Sequence, residues 1–267
     1  MLKDITLGQY FPGTTPIHRL DPRTKLVLVV VYIVALFVAG GLLSYGLTAL
    51  FLALALVLSK IKPTTILKGL KPLILIIVLT GILNLFYTKG DPLVTIWKLT
   101  ITRQGVRNAV LMILRIVMLI AGTFLLTYTT SPIDLTDGME DLLGPLKKLH
   151  VPVHELAMMM SIALRFIPTL IEETDKIMSA QRARGADFET GSLFQRAKAL
   201  IPILVPLFVS SFRRADELAT AMECRCYHGG EGRTRMKQLR YTRLDLTAYL
   251  LGFGLLTAVI VLKVLGI

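Results

Sequence analysis

Apolar and polar positions fall in blocks along this chain. From Leu26 to Ser59 no charged residue occurs over 34 positions. As one helix that run would reach about 51 Å, too long for a hydrocarbon core of about 30 Å. It must fold back, and Gly40 with Gly41 supply the reversal, which predicts helices near 26–40 and 43–59. Further apolar runs predict spans over 72–88, 108–130 and 246–262. Arg115 interrupts the fourth, and a polar cavity, snorkelling or a helix start beside it would each accommodate the charge.

Between Pro132 and Arg243 the pattern changes to charges alternating with apolar stripes. Ser131, Pro132 and Asp134 read as N-cap, first-turn proline and capping-box acid of a short helix carrying Leu135, Met139 and Leu142, which Gly144 and Pro145 break. A long helix is predicted from Pro152 to about Arg184, with a kink at Pro168. Another is predicted from Ser192, capped with Gln195, to about Arg225. Each would extend roughly 50 Å, so the two are expected to cross.

Composition places these elements. The 267 residues are 54% hydrophobic, and the mean hydropathy of +0.65 excludes a purely soluble enzyme. Lys and Arg number 30 against 18 Asp and Glu, a formal charge of +12. The segment 132–243 holds 16 of those basic and 14 of the acidic residues, so most of the excess belongs to the flanks of the spans. That distribution speaks against a nucleic-acid patch and for basic loops at a membrane face. Lys3, Arg19, Arg23 and Lys25 before the first span, with Lys60, Lys62, Lys68 and Lys71 after the second, place both flanks in the cytoplasm. Lys89, Lys98, Arg103 and Arg107 run against that rule, and the uncharged reversal at Gly40 fixes the alternation. The N-terminus is then cytoplasmic and the C-terminus outside. Residues 1–21 lack the charged and apolar regions of a signal peptide, so the chain is expected to insert by its own helices.

The class that follows is an all-α integral membrane protein. Its parts are a cytoplasmic lead-in over 1–25, four helices over 26–131, a cytoplasmic module of one short and two long crossing helices over 132–243, and a fifth membrane helix over 244–267.

The ends of the two long helices repeat at an offset of 41 residues. Asp175, Ile177, Ser179, Ala180 and Arg184 answer to Asp216, Leu218, Thr220, Ala221 and Arg225. Two amphipathic helices share such a pattern by chance in a short window; the sharper reading is two equivalent arginine-tipped ends for two equivalent partner sites. An arginine at a helix C-terminus is favoured by the helix dipole and offers a planar fork of donors to carboxylates or carbonyls.

Other chemistry is sparse. Cys224 and Cys226 give no disulfide framework and fit a reducing compartment. With His228 they form a crowded metal candidate lacking a second ligand cluster, so no metal is expected. His150, His154 and Glu155 lie close together, but Pro152 interrupts a shared helix face. An intramembrane enzyme built on such residues and an ion or solute channel are the alternatives; the spans contain no HExxH, paired acid or polar ring. Met158, Met159 and Met160 suit either a surface that repacks against several partners or an apolar core.

Over essentially its whole length the chain resembles the transmembrane T component of energy-coupling factor transporters. GQYFPGTTPIHRLDPRTKL from Gly8 to Leu26 looks like that family's lead-in, and RFIP at Arg165–Pro168 resembles its long coupling helix. Ala183, Arg184 and Gly185 match its Ala-Arg-Gly signature; the second copy departs from it as Cys224, Arg225 and Cys226. A left-handed residue at 226 would be strained as cysteine, so the second helix is expected to run on to Gly229 and Gly230. The resemblance implies a non-catalytic coupling subunit in a prokaryotic cell membrane, which joins two ABC-type ATPases to a membrane-embedded S component for a vitamin or micronutrient. The signatures would dock the ATPases, and Met158 to Met160 would receive interchangeable S components. No Walker A pattern is present, so the chain would carry no cofactor, and ATP and Mg would be bound by the partner ATPases.

Overall fold

The computed structural model describes residues 10–88, 91–96, 99–188, 190, 192–230 and 238–266. Its helices are α1 (Pro16–Arg19), α2 (Pro22–Val38), α3 (Leu42–Ser59), α4 (Pro63–Leu70), α5 (Ile74–Tyr87), α6 (Arg103–Thr129), α7 (Pro132–Leu142), α8 (Val153–Ala183), α9 (Leu193–Ala199), α10 (Ile201–Glu223) and α11 (Arg243–Val264). Strands β1 (Pro92–Ile96) and β2 (Leu99–Thr102) form an antiparallel hairpin in the loop after α5, an element the hydropathy pattern does not announce. The chain falls into two units, one made of Gly8–Gly138 together with Leu239–Ile267, the other containing Met139–Gln238.

The first unit is a helical bundle. Tyr32, Ala35, Leu36 and Ala39 make a buried stripe on α2 that joins Tyr45 and Leu52 of α3, Met118 and Ala121 of α6, and Leu255 and Val259 of α11 in one core. Two glycines permit close approaches. A Cβ at Gly122 would come 2.7 Å from the Tyr32 ring, and one at Gly252 would come 2.3 Å from Leu28. The opposite faces stay apolar and exposed, as on α5 with Leu75, Val78, Leu79 and Ile82, which suits a lipid solvent.

Among the described residues five helical stretches are long and apolar enough to cross a membrane: Leu42–Ser59, Pro63–Tyr87, Arg103–Thr129, Val153–Ala183 and Arg243–Val264. Three coincide with predicted spans, and the predicted 72–88 lengthens to include α4. The predicted 26–40 is α2, 17 residues or about 26 Å, whose packing in the bundle core tolerates its shortness. The fifth is α8, which the charge pattern put in the cytoplasmic module. It is the least apolar of the five, and Glu172, Glu173, Asp175, Lys176 and Arg182 crowd its second half.

One end of the bundle is closed by a buried polar cluster. The Asp245 carboxylate, 1% exposed, accepts from the backbone N–H and hydroxyl of Thr242, both at 2.7 Å, which caps α11. Its other oxygen accepts the Asp21 N–H at 2.8 Å, 224 residues away in sequence. Asp21 in turn caps α2 through the Arg23 N–H and holds the Arg23 guanidinium, which stacks 4.1 Å over the Tyr241 ring. Lys25, counted by sequence among the solvated flanking charges, is buried and donates to the carbonyls of His18 and Thr129 at 3.2 and 2.9 Å. His18 itself lies between the Thr15 hydroxyl and the Phe11 carbonyl. Burial, the largest influence, lowers its pKa, which favours the neutral ring.

Arg115 does not stand at a helix start. It sits inside α6 and donates to the Ala39 carbonyl at the end of α2 at 3.2 Å, with Tyr45 and Phe37 rings 5.6 and 5.8 Å from its charge.

From α7 to α9 the capping predictions describe the helices well. Ser131 and Asp134 bond each other at the start of α7, Gly144–Leu149 turns into a 3-10 helix, and Ser192 with Gln195 forms the capping box of α9. The predicted helix from Ser192 to Arg225 is instead two, broken at Leu200. Pro202 supplies the reason, since it has no N–H to continue the ladder and its ring collides with the preceding turn.

Candidate functional site

α8 and α10 lie antiparallel. Glu173 of α8 accepts from the Ser210 hydroxyl and, at 2.9 Å, from the Arg214 guanidinium of α10, while the Gln181 amide donates to the Pro202 carbonyl at 3.4 Å. Toward the other end, Met158, Ser161, Ile162 and Arg165 face Leu218, Met222 and Arg225 across a groove of about 680 Å³.

The 41-residue repeat acquires a geometric meaning from this arrangement. For antiparallel helices related by a twofold, a pair on one side of the axis recurs on the other with the helices exchanged. Glu173 and Arg214 are themselves 41 apart, so their contact maps onto itself and marks the axis. The Gln181 and Pro202 contact maps onto Ser161 and Met222, which do share the groove. Repeat-related residues also carry opposite charges at Glu172 and Arg213, Glu173 and Arg214, Lys176 and Glu217, and Arg182 and Glu223. A strict repeat would set like charges on the axis; the inversion makes the facing pair there attractive.

The predicted arginines occupy the two far ends of this pair. Arg184 stands about 35 Å along α8 from the level of Ser161, by helical rise. Both ends terminate alike. The Arg184, Gly185 and Ala186 N–H groups bond the carbonyls of Gln181, Arg182 and Gln181; those of Arg225, Cys226 and Tyr227 bond Met222, Glu223 and Met222. This is a Schellman turn twice over, with Gly185 at φ +87° and Cys226 at φ +56° in the left-handed position after the arginine. Even the side chains agree, since Ser179 bonds the Asp175 carbonyl at 2.8 Å and Thr220 the Asp216 carbonyl at 2.9 Å. Arg184 and Arg225 are exposed, as are Ala183, Gly185, Cys224 and Cys226.

The expectation that cysteine at 226 would carry the helix on to Gly229 and Gly230 is therefore overturned: α10 ends at Glu223 and Cys226 takes the strained conformation. The Nδ1 of His228, 2.8 Å from the Cys226 carbonyl oxygen, donates to it and helps hold the turn. That strain costs about 1–2 kcal/mol for an L-residue.

Among the described residues no group of three or more His, Cys, Asp or Glu is arranged to hold a metal, and both cysteines are free. His150 and His154 are not brought together as a pair; His150 ends the 3-10 turn in a left-handed conformation, and His154 Nδ1 bonds Glu140 at 2.9 Å. Met158 lines the groove, whereas Met159 and Met160 are 55% and 46% exposed, so these two do not fill a core within the described residues. Sequence reasoning missed the Glu173 and Arg214 pair, although the offset of 41 names it, and missed His154 with Glu140, for which no local signal exists.

The cobalt transport protein family, CbiQ, matches residues 13–236. The energy-coupling factor transporter transmembrane protein EcfT of Thermosediminibacter oceani is 57% identical over 93% of this chain and 94% of its own length. That of Clostridium kluyveri is 57% identical over 94% and 93%, and that of Bacillus subtilis 50% identical over 92% and 93%. With helices fit to cross a membrane and a family match over most of its length, the chain belongs to the transmembrane T components of energy-coupling factor transporters.

Proposed function

We propose that this chain is the non-catalytic coupling subunit of an ABC-type importer, and that Arg184 and Arg225 each dock one of two cytoplasmic ATPase subunits, which bind the ATP and Mg. The observation that carries this reading is the paired Schellman turn: one pair of helices offers two exposed arginines on the same backbone scaffold, related by a local twofold. A pair of ATPases is a partner of matching symmetry, and each arginine fork suits a carboxylate or carbonyl in a groove. ATP-driven closure of the pair would bring the two arginine sites together and shear α8 against α10 about the Glu173 and Arg214 contact. The N-terminus and the α7–α10 segment are cytoplasmic in this reading.

The motion needs a recipient. Besides Met159 and Met160, α10 exposes Ile201, Leu204, Val205, Phe208 and Phe212, a helical stripe with the two phenylalanines stacked. Such a surface fits a membrane-embedded S component that captures a vitamin or micronutrient, and flexible methionines suit exchange between several.

Affinity purification from the native membrane tests the proposal. The wild-type chain is expected to bring down two ATPase subunits and a small membrane protein. Arg184→Ala or Arg225→Ala should weaken ATPase recovery at least 30-fold, the lower bound for a buried charge contact of about 2–5 kcal/mol. Full recovery and transport by both variants would remove the docking roles; absence of ATPases from the wild-type preparation would remove the coupling reading itself.

A further inference from the structure

The two arginine turns share their backbone and differ in what stands behind them. A Cβ built on Gly185 meets nothing within 4 Å, and the residue after it is Ala186. At the other end that place belongs to Tyr227, whose hydroxyl lies 3.5 Å from His154 Nε2 in the first turn of α8. The opposite ring nitrogen of His154, Nδ1, is held at 2.9 Å by Glu140 of α7, itself 9% exposed. Gly230 closes the arrangement by lying flat on the imidazole, so that a Cβ there would come 2.4 Å from His154 Cδ2. In this chain of contacts the Nδ1–H donates to the carboxylate, and the phenol meets the ring's other nitrogen.

We infer that Glu140, His154 and Tyr227 form a brace that preorganises the Arg225 turn for its ATPase, leaving the Arg184 turn as the compliant partner of an unequal pair. The inference rests on the docking reading of Arg225. These are positioning residues: none need touch the ATPase, and their effect is to remove disorder that binding would otherwise have to quench. The brace also gives the Cys-Arg-Cys signature a logic. Glycine at 226 would make the turn easy to reach and easy to leave; a left-handed cysteine, held by His228 and followed by a tethered tyrosine, makes it specific.

The native cysteines provide the probe. With Cys224→Ser, a nitroxide on Cys226 in the full chain reports the braced turn; with both cysteines changed to serine, a nitroxide on Ala186→Cys reports the other. In nanodiscs without ATPases the label at 226 is expected to be the more restricted. Tyr227→Phe and His154→Ala should mobilise the label at 226, leave that at 186 unchanged, and weaken ATPase binding about 3- to 10-fold without abolishing it. Gly230→Ala should act likewise, and His154→Ala should relieve it by making room for the added methyl. Equal mobility at the two turns in the wild type, or a label at 226 indifferent to these variants, would overturn the brace. Arg225→Ala in parallel separates the two ideas: unchanged ATPase affinity there defeats the docking reading, whereas loss at Arg225 with none at Tyr227 or His154 defeats only the brace.

Discussion

The bundle and the α8 and α10 pair are made from similar helices but solve different problems. In the bundle, α2, α3, α6 and α11 share a continuous buried core, and its polar end is satisfied by Asp21, Lys25 and Asp245 within the chain. In the pair, among the described residues, Val153, Ala157 and Ile203 are those of α8 and α10 that are buried, and long apolar stripes face outward. A region that completes its own packing supports; one that leaves its packing unfinished is built to be completed by partners.

Substitutions sharpen this contrast. The largest effect is expected in the bundle, where Asp245→Ala strands the buried Asp21 N–H, uncaps α11 at Thr242 and removes a counter-charge near Lys25. A loss of about 3–5 kcal/mol should appear as a large fall in the thermal unfolding temperature of the purified chain. Arg184→Ala and Arg225→Ala should leave that temperature within error, because both side chains are exposed, while ATPase binding collapses. An unfolding temperature lowered as far as in Asp245→Ala would break the contrast.

Within the pair the two turns should respond with opposite signs. Gly185→Ala forces an L-residue to φ +87° and should cost about 1–2 kcal/mol of turn stability. Cys226→Gly relieves the same strain and should gain up to about 1 kcal/mol, offset in part by added unfolded-state entropy. Hydrogen exchange at the Ala186 and Tyr227 amides reads both. The smallest change is at the axis: Glu173 and Arg214 are partly exposed, so Glu173→Gln should barely lower the unfolding temperature. The exchange Glu173→Arg with Arg214→Glu should restore the wild-type value, which a packing role would not permit.

Much of this was readable along the chain because its causes are local. Ser131, Ser192 and Gly144 declared helix ends through short-range bonds, and the uncharged run to Ser59 required a reversal wherever it packed. The break between α9 and α10 also has a local cause, Pro202, which removes an N–H from the ladder. Lys25 and Asp245 were not readable, since a buried lysine and a solvated one have the same neighbours in sequence; only a partner more than 100 residues away distinguishes them. Cys226 misled for the opposite reason: its intrinsic preference argued against a left-handed turn, and the tertiary setting of His228 and Tyr227 outweighed it.

The sequence by itself determined that this is a membrane protein of apolar helices with a charged module and two equivalent arginine-tipped helix ends, because hydropathy, capping and repeats are properties of neighbouring residues. The tertiary structure alone decided that those ends point opposite ways about the Glu173 and Arg214 contact, that Tyr227 beside one of them meets His154, and that Lys25 is interior. Each of these depends on which side chains meet across space, and burial gives such meetings the energy to override local preference.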